Sequence, residues 1–127
     1  MSDFSFPRQA RLLDSRDYKE VFDDVLVKAS DKSLLILARP SSKERSRLGL
    51  VIAKKHVRRA NQRNRIKRVI REHFRVTHTR LDALDLVIIA RQGLGDLSNE
   101  ELRQILARLW QRLRKKAAAL SEGAPTR

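Results

Sequence analysis

The chain has 127 residues, with 29 Lys and Arg against 15 Asp and Glu, and a formal net charge of +14. That length suits one domain with one core, and 41% hydrophobic residues suit a packed fold rather than a disordered chain. Zero cysteines exclude disulfides and thiolate metal sites, and no apolar run approaches the roughly 18 residues of a membrane span.

The N-terminal MSDFSFPRQARLL has no apolar core of signal-peptide length and carries Asp3, so a cytoplasmic location is expected. Residues 1–13 read as extended, because Pro7 removes a donor and no helical period is visible. A helix is expected from Asp14, capped by Asp14 or Ser15, with Tyr18, Val21, Phe22 and Val25 at i, i+3, i+4, i+7. Strands are expected over residues 25–29, 33–38 and 47–55, with a polar loop over 40–47. A basic helix runs from about Asn61 to Val76. The continuous apolar run DLVIIAR (85–91) reads as a central strand. Gly93 and Gly95 break it, and Ser98 with Glu101 forms a capping box for a last helix. Leu102, Ile105, Leu106, Leu109, Trp110 and Leu113 give that helix one apolar stripe. The pattern predicts a single domain over residues 1–120 with an extended N-terminal segment, and a disordered tail over 121–127. Helices covering a sheet make this a small α+β sandwich.

The basic helix concentrates the charge. Ten basic residues lie between Lys54 and Arg75, with Glu72 as the sole acid. Projected at about 100° per residue, Ile66, Val69, Ile70, His73, Phe74 and Val76 fill an apolar arc about 160° wide. Arg65, Lys67, Arg68, Arg71, Arg75 and Asn64 fall opposite. Arg63 is the exception, in the first turn. An ordinary solvated face mixes signs through i, i+4 pairs, and cations near a helix N-terminus oppose its dipole. A flexible localisation signal needs no apolar stripe. A membrane-surface helix would have to give up the stripe that the strands need as a lid. Phosphate binding fits best, because guanidinium donates bidentately and stacks on unpaired bases, while Asn61 and Asn64 can reach base edges or ribose.

The run RLGLVIAKKHVRRANQRNRIKRVIREHFR resembles the signature of the bacterial ribonuclease P protein family. Its core is Arg63-Asn64-Arg65, followed by Ile66-Lys67-Arg68 and Arg71-Glu72, and preceded by Gly49 and Lys54-Lys55. Phe6-Pro7-Arg8, Arg11-Leu12, Tyr18, Val21-Phe22 and Ala90-Arg91 match the family's other segments. The resemblance covers residues 4 to about 116. It implies a two-layer sandwich, α-β-β-β-α-β-α, with a left-handed β-α-β crossover where general rules favour the right-handed one. It also implies a protein subunit that binds a catalytic RNA and the 5′ leader of precursor tRNA. Bond chemistry would come from that RNA with Mg²⁺ that it largely holds. No membrane and no obligate protein partner are expected.

By the same resemblance, Lys54, Lys55, Arg58, Arg59, Asn61, Arg63, Asn64, Arg65, Lys67, Arg68 and Arg71 face the catalytic RNA. Phe6, Arg11, Tyr18, Phe22, Leu37, Val51 and Arg91 line the leader cleft. Tyr18 and Phe22 also fit a buried helical stripe. Leu37 stands where the family often has an aromatic, which leaves less surface for stacking. A structural RNA-binding protein, such as a ribosome component, shares the charge and a similar fold. A self-sufficient nuclease would need clustered carboxylates, and Asp82 and Asp85 near Asp96 offer the one tempting spacing. His56, His73 and His78 have no zinc-binding spacing.

Overall fold

The structure, a computed structural model, describes residues 11, 12, 15–41, 46–77 and 84–123, the side chains of 120–123 excepted. Phe6, the proposed cap Asp14, Asp82, His78, residues 42–45 of the polar loop and residues 124–127 lie outside the described residues.

Three helices and four strands follow one another in the order that the patterning predicts. They are α1 (Ser15–Asp23), β1 (Val27–Ser30), β2 (Leu34–Pro40), β3 (Arg47–Val51), α2 (Ala60–Thr77), β4 (Leu84–Ala90) and α3 (Asn99–Gly123), with a 3₁₀ turn at Leu94–Asp96. The sheet order is β1-β2-β4-β3. β2 runs antiparallel to both neighbours, whereas β3 and β4 pair in parallel and α2 crosses between them. β4, the apolar run, is central as predicted, because it is hydrogen-bonded on both sides and covered on both faces.

Alternation along the strands sorts the core into two clusters. Ile36, Leu86 and Ile88 face one way and pack under α2 and α3, through Ile66, Ile70, Phe74, Leu106 and Leu109. Leu37 and Val87 face the other way, under Val21 of α1, with Tyr18, Leu35, Val51 and Ile89 partly covered around them. The first cluster is the main core. The second is small, because α1 covers only part of its face and leaves an open groove beside it.

Both ends of the sheet carry edge protection. Along β3, the Leu12 amide donates to the Leu48 carbonyl (3.0 Å) and the Leu50 amide donates to the Tyr18 hydroxyl (3.2 Å). Along β1, Arg112 and Lys116 donate to the carbonyls of Ser30 and Lys28, and Arg108 pairs with Asp31. Four helical residues rise about 6 Å and two strand residues about 6.6 Å, so this ladder keeps register.

Four expectations shift. β3 ends at Val51 rather than residue 55, since Ile52 to Val57 turn away from β4. β1 begins at Val27, which leaves Val25 and Leu26 exposed in the connection from α1. Val76 is 61% exposed, because the end of α2 runs past its cover. The backbone of α3 continues to Gly123, three residues into the stretch expected as tail.

Candidate nucleic-acid interface

α2 separates its faces as the projection requires. Ile66, Val69, Ile70 and Phe74 are at most 2% exposed, while Asn61, Asn64, Arg68 and Arg75 face solvent and Lys67 and Arg71 sit half-buried between. No acidic residue occupies the first turn, so nothing there offsets the cations against the helix dipole.

The loop before α2 is held in place rather than merely charged. The Ala53 carbonyl accepts from the amides of His56 and Val57 (3.0 and 3.1 Å), closing a turn. Val57, 3% exposed, anchors the loop in the main core. Arg63 Nη1 then donates back to the carbonyls of Val57 (3.0 Å) and Arg58 (2.8 Å). Lys54, Lys55, Arg58 and Arg59 are thereby exposed on an ordered loop next to the start of α2.

Arg65 is held from three sides. Its Nε donates to Gln62 Oε1 (2.7 Å), Nη1 to Asn99 Oδ1 (2.7 Å) and Nη2 to the Gly95 carbonyl (3.4 Å). It therefore links α2, the 3₁₀ turn and the start of α3. Every acceptor around Arg63 and Arg65 is neutral, so their charge is fixed in position but not cancelled.

Three other guanidinium groups, those of Arg39, Arg47 and Arg108, meet carboxylates. Arg39 pairs with Asp24 (3.7 Å), and Arg47 makes a bidentate pair with Asp85 (2.9 and 2.7 Å) plus a longer contact to Asp17 (3.5 Å). The hydrogen bonds that Arg47 donates to Asp85 push the Arg47 pKa above its ordinary value despite burial. Asp85, the tempting metal carboxylate, is thus a buried ion-pair partner inside β4 and not a loop residue. Among the described residues, no cluster of three or more His, Asp or Glu could hold a metal ion.

The second surface is the groove beside α1. Gly49 makes it possible: a Cβ there would stand 2.6 Å from Tyr18 Cε2, so only glycine lets the ring lie against β3. Tyr18 is half-buried with its hydroxyl bonded, and Phe22 is 45% exposed at the rim, which removes the buried reading for Phe22. Val51 is half-buried in the groove, while Leu37 is only 9% exposed and belongs more to the small core than to an open floor. Arg91 lies at the far end, where Nη1 donates to the Asp31 carbonyl (3.0 Å). Burial, and then the charge of nearby Arg11, lower the Arg71 pKa. Arg71 of α2 therefore stands close to Arg11, which bridges to Leu48 at the β3 edge, and to Tyr18 in the groove.

A small basic chain with this sheet, groove and helix matches known proteins over most of its length. The model of the family described as Ribonuclease P matches residues 6–114. The chain belongs to the ribonuclease P protein family. It is 43% identical over 122 residues to the ribonuclease P protein component of Saccharophagus degradans, covering 96% of this chain and 90% of that one. With the corresponding protein of Ectopseudomonas mendocina it is 53% identical over 108 residues, covering 85% and 81%. Among solved structures, the Staphylococcus aureus RNase P protein superposes with a TM-score of 0.74 at 25% identity, covering 80% of this chain and 93% of that one. The Thermotoga maritima RNase P protein gives 0.69 at 29%, covering 80% and 96%. The chain is accordingly the protein component of a ribonucleoprotein endoribonuclease acting in tRNA 5′ maturation, in which the RNA carries the catalysis.

Sequence reasoning placed the exposed cations correctly on one face but missed what positions them. Gln62 and Asn99 carry no signal of their own. The Arg47–Asp85 pair joins residues 38 apart and becomes visible only once β3 and β4 are aligned.

Proposed function

We propose that the exposed row of α2 and the ordered loop before it dock on the catalytic RNA, and that the groove beside α1 receives the 5′ leader of precursor tRNA. The observation that carries this reading is the two-sided α2. Its apolar face is spent in the core through Ile66, Val69, Ile70 and Phe74, and its outer face presents Asn61, Asn64, Lys67 and Arg68, with Arg63 and Arg65 held by neutral acceptors. Unneutralised, ordered cations are what phosphate backbones require.

The groove suits a single strand. Tyr18 and Phe22 present aromatic surface on which bases can stack, and Arg11 and Arg71 supply charge at its edge. Leu37 adds apolar floor but no ring, so stacking on the sheet side is limited. Mg²⁺ in the assembly is assigned to the RNA. This chain's part is to bind and orient the substrate and to lower repulsion between the two RNAs. The cytoplasm, where precursor tRNA is processed, is the proposed location.

The test mixes purified protein with ribonuclease P RNA, precursor tRNA and limiting Mg²⁺. Cleavage stimulated only when RNA and protein are both present supports the reading. Binding without stimulation points to a purely structural RNA-binding protein, and cleavage by protein alone to an independent nuclease. Shortening the leader should weaken binding of the precursor by holoenzyme, while Tyr18→Ala with Phe22→Ala should make leader length matter less.

A further inference from the structure

We propose that Gln62 and Asn99 are positioning residues for RNA binding, holding the Arg65 guanidinium ordered and uncancelled at the junction of α2, the 3₁₀ turn and α3. This rests on the reading that the α2 face meets RNA.

The geometry is specific. A guanidinium has five N–H groups, one on Nε and two on each terminal nitrogen. Gln62 takes the one on Nε, and Asn99 and the Gly95 carbonyl take one from each terminal nitrogen. One N–H therefore remains on Nη1 and one on Nη2, each available to a phosphate oxygen. The ligand class is a phosphodiester.

Asn99 has no competing local duty. The N-terminus of α3 is already capped by Ser98, whose hydroxyl accepts from the Glu101 amide (3.1 Å), while Glu101 accepts from the Ser98 amide (2.9 Å). The Asn99 amide is free to reach across to α2. A carboxylate at that place would hold Arg65 equally well but cancel its charge, as Asp85 cancels that of Arg47. A neutral amide holds it and leaves the charge for the RNA. A long side chain ordered before binding loses less rotamer freedom when it binds.

The test measures binding of the full chain to a ribonuclease P RNA transcript over a range of salt concentrations, with folding of each variant checked by circular dichroism. Asn99→Ala should weaken binding about two- to tenfold, the cost of ordering one long side chain, with the log–log salt slope unchanged. Gln62→Ala, which leaves α3 untouched, should do the same. Asn99→Asp should flatten the slope by about 0.7–0.9, as Arg65→Ala should, because one phosphate contact is cancelled. Gln111→Asp, on the exposed face of α3, makes the same charge change away from Arg65 and should leave the slope nearly unaltered. If Asn99→Asp and Gln111→Asp behave alike while Arg68→Ala flattens the slope, the proposal is wrong and the α2 reading stands. If Arg68→Ala has no effect either, both fall together.

Discussion

Arg47 and Asp85 face each other across the parallel β3–β4 pair, joined by two hydrogen bonds of 2.9 and 2.7 Å, with side chains only 8% and 2% exposed. Asp17 approaches the same guanidinium from α1 at 3.5 Å. The pair therefore fixes strand register and seats the helix that walls the groove.

Breaking that pair should be costly from either side. Asp85→Ala leaves a buried guanidinium with the single, longer contact to Asp17, and should lower stability by about 3–5 kcal/mol. Replacing both residues with apolar ones of similar volume should cost far less, because no charge is then stranded. Denaturant unfolding of the two singles and the double decides this. A double variant as unstable as the singles would mean the pair is not the source of the loss.

Gly49→Ala should destabilise by about 1–3 kcal/mol, because the new methyl meets the Tyr18 ring and either the ring or β3 must move. Moving the ring also strips the Leu50 amide of its acceptor at the sheet edge. Tyr18→Ala removes the clash, so Gly49→Ala should cost much less in that background. Additive losses, measured by thermal unfolding, would show that the ring does not lie where the structure places it.

His73 should make stability fall in mild acid. Its ring meets the edge of Trp110 (centroids 5.6 Å apart), its Nε2 is buried without a hydrogen-bond partner, and burial lowers its pKa. In the unfolded chain it titrates near about 6.5. Below that pH the unfolded state binds more protons than the folded one, so stability rises with pH and is complete above the unfolded value. Melting temperatures between about pH 5 and 8 should show this dependence in the parent chain and a weaker one in His73→Phe. An unchanged profile in the variant would clear His73 of the effect.

Elements with a strong local period were legible without coordinates. The faces of α2, the apolar β4 and the Ser98–Glu101 capping box all rest on residues within a few positions of one another, and the structure has each of them. What could not be read joins residues far apart in sequence. Nothing near Asp85 marks it as the partner of Arg47, and nothing near Asn99 points to Arg65. Val76 fitted the apolar arc by angle, yet it stands at the end of α2 where coverage stops. An angle gives the side of a helix a residue is on, not whether a neighbour reaches that far along it.

The two faces of α2 should separate cleanly in mutants. Ile70, 1% exposed, lies among Ile66, Phe74 and the strand residues of the main core. Ile70→Ala should cost about 2–5 kcal/mol of stability and, below its melting point, leave the salt slope of RNA binding alone. Arg68 is exposed, and Lys55 stands on the ordered loop before the helix. Arg68→Ala and Lys55→Ala should each change stability by less than about 0.5 kcal/mol while flattening the log–log slope by about 0.7–0.9. The double variant should sum the two slope changes if the residues, which lie on different elements, contact different phosphates as proposed. Thermal melts beside salt-dependent binding isotherms read both quantities on the same samples. A slope unmoved by Arg68→Ala and Lys55→Ala together would remove this face from the RNA interface. A near-parental melting temperature for Ile70→Ala would mean that its neighbours close over the cavity.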